Sequence, residues 1–303
     1  MAKTKIVFLI LPRIHLLDFA GAVQVFYEAM DTVTLDYCSI GDNIETSSEF
    51  PLGKLKNFRE ITFEPGDYLF VPGAEVSFLT SRKMTSQKEL FSWVKAAHAK
   101  GVNICSVCTG AFFIGLTGLL NGRKCTTHWK HTEQLENKFP SIKLQEDILF
   151  AEDDGVFTSA GVTAGIDLAL HILSKLTSES FSFKVARELV VYIRRHGGDS
   201  QQSVFMKYRN HIHSGIHKAQ DYLQDYVHKK TSLDQLAEEA CMSTRSLTRT
   251  FKKETGITIN EYVTLIRKER LTELSKNPDM SRTQMARQCG LKSERQVIRL
   301  LKS

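Results

Sequence analysis

One cysteine lies where a buried strand runs directly into a helix. Cys108 follows the apolar run of residues 102–107 and precedes Thr109, Gly110 and a second apolar run. At such a junction the free N–H groups and the dipole of the helix favour a thiolate. We therefore expect a reactive Cys108 with a pKa below the free-thiol value of about 8.5. The alternative is a buried, inert thiol, because free cysteine is commonly a core residue.

Two glycines and a second cysteine bear on the chemistry of this thiol. The backbone at Gly73 and Gly110 has no Cβ and can approach a ligand or form an oxyanion hole. Cys105 makes a C-x-x-C pair with Cys108, but the sequence has no second pair and no histidine at zinc-finger spacing. Because Cys105 also falls within the predicted strand, we assign it to the core and expect no metal and no cofactor.

A different chemistry is indicated in residues 233–256, where two short helices are predicted. Apolar residues of the first, such as Leu236 and Ala237, recur at three- and four-residue spacing and form one stripe. Leu247 and Phe251 of the second face inward, and its outward residues include Arg245, Thr248, Arg249 and Lys252. Such a helix fits the DNA major groove, where arginine can pair with guanine. The alternative is a solvated helical hairpin in an unrelated bundle.

A second copy of this pattern follows in residues 285–301, with one extra residue in its second part. The corresponding residues are Ala237 and Ala286, Leu247 and Val297, and Phe251 and Leu301. Two helix-turn-helix motifs on one rigid domain can place their recognition helices in successive major grooves.

The net charge of the chain is unevenly distributed. The 303 residues contain 40 Lys and Arg against 34 Asp and Glu. Residues 214–303 contain 17 basic and 11 acidic residues, so this last third carries the whole excess of six. We therefore expect one module that meets a polyanion and one that does not. The six scattered cysteines and the lack of a run of about 18 apolar residues favour a reducing, cytoplasmic protein with no membrane partner.

The elements around Cys108 alternate between strand and helix. Strands are predicted at residues 5–11, 35–40, 68–71 and 102–107, and helices at residues 18–30, 86–100 and 166–176. Continuous apolar strands of this kind are covered on both faces of a parallel sheet. The alternation predicts an α/β domain with a mostly parallel sheet, in which sites gather at the C-terminal ends of strands.

Five short motifs occur in a fixed order through residues 4–195. They are Leu17-Asp18-Phe-Ala-Gly21, Val71-Pro-Gly-Ala74, Cys108-Thr-Gly-Ala-Phe112, Gly118-Leu-Leu-Asn-Gly122 and Thr126-Thr-His-Trp129. In order and spacing they resemble the ThiJ/PfpI branch of the class I glutamine-amidotransferase-like superfamily. The resemblance implies a flavodoxin-like α/β sandwich with Cys108 at the nucleophile elbow. It also implies that a ligand pocket is formed there by Asp18, Gly73, Ala74, Cys108, Thr109, Gly110 and His128.

One departure from that family bears on catalysis. Its protease-like branch has a histidine directly after the nucleophile, whereas this sequence has Thr109. In lacking this histidine the sequence resembles isonitrile hydratases and regulatory members of the family. We therefore expect a domain that senses a small molecule or redox state near Cys108. The rival interpretation is a thiol-dependent hydrolase or isonitrile-hydratase-like enzyme with a DNA-binding tail. For His128, the alternative to a role in the site is an interior imidazole bonded to backbone.

Residues 216–303 resemble the DNA-binding domain of AraC/XylS transcriptional regulators. The first motif is close to the family pattern, whereas the second lacks the usual aromatic residues and is expected to be truncated at its end. The base-reading residues implied by the resemblance are Arg245, Thr248 and Arg249 in the first motif and Arg295, Gln296 and Arg299 in the second.

These interpretations give three segments and three partners. We expect a sensing domain at residues 1–196, a flexible linker at residues 197–213 after a break that begins at Arg194, and an all-α DNA-binding domain at residues 214–303. The expected partners are double-stranded DNA, an unknown small-molecule effector, and a second copy of the chain in a homodimer formed through the N-terminal domain.

The uneven charge predicts that residues 214–303 carry nearly all of the DNA affinity. Because each Lys or Arg contact releases counterions from phosphate, the logarithm of the binding constant should fall with that of salt concentration by about 0.9 per contact. Fluorescence anisotropy on fragments 1–196 and 214–303 measures both quantities. Equal DNA binding by the two fragments would contradict the prediction.

Overall fold

The computed structural model describes residues 3–191 and 195–302 and divides the chain into two units that separate between Gln201 and Gln202. Arg194, where the sequence predicts the interdomain break to begin, lies outside the described residues. No helix in the described ranges is both long enough and apolar enough to cross a bilayer.

The first unit alternates strands and helices. Its strands are β1 (Thr4–Leu9), β2 (Val33–Ser39), β3 (Ile44–Glu45), β4 (Pro51–Leu52), β5 (Lys56–Asn57), β6 (Tyr68–Val71), β7 (Asn103–Val107), β8 (Lys124–Cys125), β9 (Lys143–Leu144), β10 (Phe150–Asp153) and β11 (Val156–Ser159). Its helices are α1 (Leu16–Tyr27), α2 (Val76–Leu79), α3 (Arg82–Thr85), α4 (Lys88–Ala99), α5 (Gly110–Thr117), α6 (Thr132–Lys138), α7 (Thr163–Leu176) and α8 (Glu179–Glu188). Short 3₁₀ helices occupy Phe58–Glu60 and Trp129–His131.

Seven strands form one sheet in the order β10-β11-β7-β6-β1-β2-β5. All neighbours are parallel except β10 and β11, which form an antiparallel hairpin at one edge. The predicted α/β domain with a mostly parallel sheet is confirmed.

The two faces of the sheet are covered by separate apolar cores. Val7 and Leu9 of β1 belong to the core that includes α4 and α5, whereas Ile6 and Phe8 belong to the core that includes α1 and α7. Successive residues of a strand point to opposite faces, so a run that is apolar throughout is buried on both sides. This burial explains why the sequence shows continuous apolar strands.

The starts of two helices matter for the pocket, and that of α1 precedes the predicted start at residue 18. α1 begins at Leu16, which places Asp18 in its first turn. α5 begins at Gly110, so Cys108 lies just before the helix, with a left-handed φ of 56°.

Residues 197–213, predicted as a flexible linker, are divided between the two units. The Gly197 carbonyl accepts backbone hydrogen bonds from Leu149 and Phe150, and the Gln201 side chain donates to the Thr127 carbonyl at 2.9 Å. Val204, in the second unit, donates its N–H to Glu269 at 3.0 Å. Gly197 and Gln201 therefore pack on the first unit, and Val204 packs on the second.

The second unit is helical in every element described. Its helices are α9 (Val204–Lys207), α10 (Ser214–Asp225), α11 (Leu233–Glu239), α12 (Thr244–Thr255), α13 (Ile259–Leu274), α14 (Arg282–Gln288) and α15 (Glu294–Lys302). α11 with α12 and α14 with α15 form the two predicted helix-turn-helix motifs. α13 joins them, because Tyr262 and Ile266 pack in the first core and Leu271 and Leu274 pack in the second.

The second motif differs from the prediction in which leucine it buries. Val297 and Leu300 are buried, whereas Leu301, expected to correspond to Phe251, is 40% exposed. Residues three apart share a helix face as well as residues four apart. The inward face of α15 is formed by Val297 and Leu300, so the assignment of Leu301 to the core is wrong.

Candidate functional site

Cys108 lies on a sharp turn between β7 and α5. Its N–H donates to the Ser159 carbonyl at 2.9 Å, and its own carbonyl accepts from the Thr127 hydroxyl at 2.9 Å. A left-handed φ in a non-glycine residue costs free energy and persists only where the surroundings hold it. The two hydrogen bonds hold this conformation, and the structure therefore has the predicted elbow.

Glycines leave the space that the elbow needs. A Cβ at Gly161 would lie 2.8 Å from the Cys108 sulfur, and one at Gly73 would lie 2.9 Å from both Cys108 Cβ and Thr109 Oγ1. A Cβ at Gly110 would overlap the Val71 carbonyl. Gly73 and Gly161 thus pack directly on the cysteine, while Gly110 allows α5 to start against β6.

Asp18 lies beside the thiol, as the family resemblance implies. The side chain is buried, and its Oδ1 accepts the N–H of Val162 at 2.6 Å. Its Oδ2 lies 3.2 Å from Nδ1 of His15. The carboxylate is therefore held by one backbone donor and one imidazole, next to Cys108.

The expectation of a lowered thiol pKa is wrong. Burial raises the pKa of Cys108, the carboxylate of Asp18 raises it further, and hydrogen bonds from Thr109 lower it by less. Cys108 is only 5% exposed, so removal of water from the charged form outweighs the favourable helix N-terminus.

Thr109 occupies the position where the protease-like branch has histidine. Its hydroxyl donates to the Ala74 carbonyl at 2.6 Å and accepts the Ala74 N–H at 3.0 Å. The Ala74 N–H therefore bonds to a side chain and does not point freely toward a ligand. Thr109 and Ala74 join the turn after β6 to the elbow.

His128 lines the pocket, and its environment favours the neutral imidazole. Burial lowers the pKa of His128, and the neighbouring His131 and Lys130 lower it further. Its Nδ1 accepts the N–H of Lys130 at 3.3 Å, so the alternative of a histidine bonded to backbone also describes part of its role. The neighbouring Trp129 is 44% exposed.

These side chains enclose a cavity of about 230 Å³. Its lining residues are His15, Leu17, Asp18, Cys108, Thr109, His128, Lys130, His131 and Val162. Gly73, Ala74 and Gly110, predicted as pocket residues, are not among the lining residues. Gly73 packs on Cys108, and Gly110 packs on Val71 of β6. The pocket is small and carries several basic side chains.

Five lining residues of this site were not predicted from the sequence: His15, Leu17, Lys130, His131 and Val162. His15 precedes Asp18 by three residues at the start of α1, a spacing that brings side chains together on a helix and was readable. Val162 has φ of 51° and ψ of −119°, a strained backbone for a β-branched residue. No sequence pattern marks that strain, because it arises from the fit between the turn and Asp18.

A second candidate site lies on the outer face of α12. Leu247 and Phe251 are buried, whereas Arg245, Thr248, Arg249 and Lys252 are exposed on the opposite face. Ser243 caps the helix by accepting the N–H of Ser246, and Gly256 ends it in a left-handed conformation. The predicted two-faced helix is present, with its basic residues accessible.

The corresponding face of α15 is less uniform. Arg295 and Arg299 are exposed, but Gln296 is half-buried and its Oε1 accepts the N–H of Lys292 at 2.7 Å. Gln296 thus satisfies a backbone donor at the start of α15.

The match to known families follows this division. Residues 4–175, more than half of the chain, match the DJ-1/PfpI family. The chain belongs to the DJ-1/PfpI family. Residues 236–303 match a helix-turn-helix domain, and this DJ-1/PfpI member therefore carries an AraC-type second domain, as its sequence predicts.

Several relatives share parts of this organisation. The chain is 28% identical over 209 residues to the HTH-type transcriptional regulator GbdR of Pseudomonas aeruginosa, a match that covers 68% of this chain and 56% of that protein. The chain thus spans little more than half the length of GbdR. The isonitrile hydratase of Pseudomonas putida is 29% identical over 171 residues, covering 56% of this chain and 70% of that protein.

A solved structure supports the fold alone. An AraC family transcriptional regulator from Pseudomonas putida superimposes with a TM-score of 0.52 and 20% identity, covering 61% of this chain and 99% of that chain. The DJ-1/PfpI fold of the first unit is therefore shared with that structure.

The contact between Asp18 and the thiol generates a prediction. Asp18→Asn removes a negative charge beside Cys108, so the pKa of Cys108 should fall relative to the unmodified protein. The thiolate fraction, and with it the rate of alkylation, should then rise at a lower pH. Mass spectrometry that follows iodoacetamide labelling of the Cys108 peptide against pH separates this thiol from the exposed Cys241. An unchanged or higher inflection pH in Asp18→Asn would show that Asp18 does not control the thiol.

Proposed function

We propose that this chain is a sequence-specific DNA-binding transcription regulator of the AraC type. Its α12 and α15 helices read DNA, and its DJ-1/PfpI domain senses a small molecule or a redox state in the pocket of Cys108. We further propose that the chain acts as a homodimer formed through the first unit, since two recognition domains bind an operator more tightly than one.

The observation that carries this proposal is that the arginines on α12 are exposed and, among the described residues, unpaired. Within the described part of the chain, neither Arg245 nor Arg249 has an ion-pair partner, and both are exposed. By contrast, Arg195 in the first unit pairs with Asp167 and Arg209 in the second pairs with Asp221. Unpaired guanidinium groups on an outer helix face are free to pair with guanine or phosphate.

The relatives support the same function. GbdR is named a transcriptional regulator, and its match covers 68% of this chain. The basic excess in residues 214–303 fits a polyanion partner for the helical unit.

The rival function is a thiol-dependent enzyme, which the similarity to an isonitrile hydratase favours. Thiol catalysis needs a base that accepts the thiol proton. Among the residues that the structure describes, no imidazole is hydrogen-bonded to Cys108, and the hydrogen-bond partners of the thiol are Asp18 and Thr109. Thr109, at the position of the histidine found in proteases, bonds to both Ala74 and the thiol, but its hydroxyl is not a base that could accept the thiol proton. A carboxylate is a weaker base than an imidazole, so these contacts favour binding over turnover.

We therefore expect no rapid hydrolysis of amides and no rapid hydration of isonitriles. Chromatographic detection of acids or formamides, formed from representative amides and isonitriles, measures the rate. Cys108→Ala provides the control for thiol-dependent chemistry. Efficient turnover that this variant abolishes would favour the enzyme.

The two motifs should contribute unequally to operator binding. Phe251 and Tyr262 are large and fully buried in the first core, whereas the second core is built from aliphatic and sulfur-containing side chains. Less buried apolar area holds a recognition helix less firmly, and a mobile helix loses more entropy on docking. Arg249→Ala should therefore weaken operator binding by about 1–3 kcal/mol and more than Arg299→Ala does.

Titrations of both variants at one salt concentration measure this difference. Arg82→Ala is a matched control, because it removes an exposed arginine from the first unit and should leave operator affinity unchanged. If Arg299→Ala weakens operator binding as much as Arg249→Ala or more, the second motif contributes fully to base recognition and the inference from packing is wrong.

A further inference from the structure

The pocket of Cys108 brings together three side chains of different donor chemistry. His15, Asp18 and Cys108 each offer one ligand atom, and these nitrogen, oxygen and sulfur atoms all lie within 4.8 Å of one another. We propose that His15, Asp18 and Cys108 form a binding site for Zn²⁺, with a fourth coordination position open to the cavity. The proposal departs from the sequence-based expectation of no metal, because His15 was not among the predicted site residues. It concerns metal binding alone, so it goes beyond the regulatory function and can fail separately from it.

The carboxylate is oriented as a ligand should be. Oδ1 of Asp18 accepts the N–H of Val162 at 2.6 Å, which leaves Oδ2 on the side of His15. Ligating carboxylates and imidazoles are usually fixed by such outer hydrogen bonds, which hold the free lone pair toward the metal. The strained backbone of Val162 keeps its N–H in this place.

The main chains of the other two ligand residues are also held in place by hydrogen bonds. The N–H of His15 donates to the Gly73 carbonyl at 2.8 Å, and that of Cys108 donates to the Ser159 carbonyl at 2.9 Å. Bonds from zinc to nitrogen, oxygen and sulfur are about 2.0–2.3 Å long, so neighbouring ligand atoms in a tetrahedral site are roughly 3.5 Å apart. Side-chain shifts of roughly 1 Å therefore bring the three atoms onto one ion.

The donor set and its charges favour zinc. Thiolate, imidazole and carboxylate are the three side-chain ligands that zinc accepts together, whereas magnesium and calcium prefer oxygen alone. A thiolate beside the carboxylate of Asp18 brings two negative charges into a buried place, and a dication between them removes their repulsion.

The arrangement is better suited to holding an ion than to activating a nucleophile. In a Cys-His-acid triad the imidazole lies between the thiol and the acid. Here the carboxylate contacts both the thiol and the His15 imidazole. A carboxylate in the middle cannot relay the thiol proton to the imidazole as a triad does, but it can share a metal with both.

The fourth position opens onto the cavity of about 230 Å³. Sites with three protein ligands usually hold water or a small molecule in the remaining position. Leu17, His128 and His131 line the space next to the three ligands. There is room for a water molecule or a small ligand bound directly to the ion.

The test is a zinc titration of the full-length chain in competition with a chromophoric chelator. We expect one zinc ion per chain, and loss of a ligand in Cys108→Ser, His15→Gln or Asp18→Asn should lower the affinity by about 100-fold or more. Substitution with Co²⁺ should give a thiolate-to-cobalt charge-transfer band that Cys108→Ser abolishes. Asp18→Asn keeps the shape of the side chain and its bond from Val162, so it tests the charge without removing the fold.

Two controls address adventitious binding. Cys241 is an exposed thiol, His171 and Glu152 form a partly exposed pair, and the rings of His211 and His217 lie 4.6 Å apart. Neither the double variant Cys241→Ser/His171→Gln nor His217→Gln should change the zinc affinity or the cobalt band. The absence of stoichiometric binding, or binding that survives Cys108→Ser, would overturn the proposal. Arg249→Ala should still bind zinc fully, which separates this test from that of DNA binding.

Discussion

The hydrogen bond from the Val162 N–H to Asp18 is the contact on which the pocket depends. It joins residues 144 positions apart in the sequence, and it fixes the first turn of α1 against the turn that leads into α7. To make this bond, Val162 adopts a left-handed backbone that costs about 1–3 kcal/mol. The gain is a buried carboxylate whose charge is partly satisfied by a backbone donor. Cys108, also left-handed, is then enclosed between Asp18, Gly73 and Gly161.

The helical unit depends on a different constraint, the continuity of α13. One helix supplies Tyr262 and Ile266 to the first core and Leu271 and Leu274 to the second. Each motif is too small to bury much apolar area alone, because a recognition helix offers only two inward residues. The shared helix gives both motifs a packing surface, and each recognition face remains available to solvent.

Much of this architecture was readable in the sequence because it rests on local patterns. Continuous apolar strands predicted the sheet, and the inward Leu247 and Phe251 predicted the faces of α12, since burial repeats with the period of each element. The approach of Cys108 and Asp18 came from a family resemblance, because no local pattern links residues 90 positions apart in the sequence.

The failures of prediction have physical causes that a linear sequence does not show. The pKa of Cys108 depends on how deeply the finished fold buries the thiol. The dipole of α5, considered alone, predicts a lowered pKa. Leu301 was placed in the core because the sequence does not show which of two adjacent leucines lies on the inward side of α15. Val162 and the packed segment of residues 197–201 depend on tertiary partners that only the fold brings near.

The two-sided packing of α13 also limits how this chain can diverge. A helix advances 1.5 Å and turns 100° with each residue. A single insertion between Ile266 and Leu271 would therefore rotate one helix-turn-helix motif relative to the other. If the two motifs bind DNA as proposed, the number of residues in this one helix sets the spacing of the two DNA segments that they contact. On that proposal, point substitutions on α12 or α15 can change base preference, whereas a change of spacing needs a change in the length of α13 that keeps both of its buried faces in place.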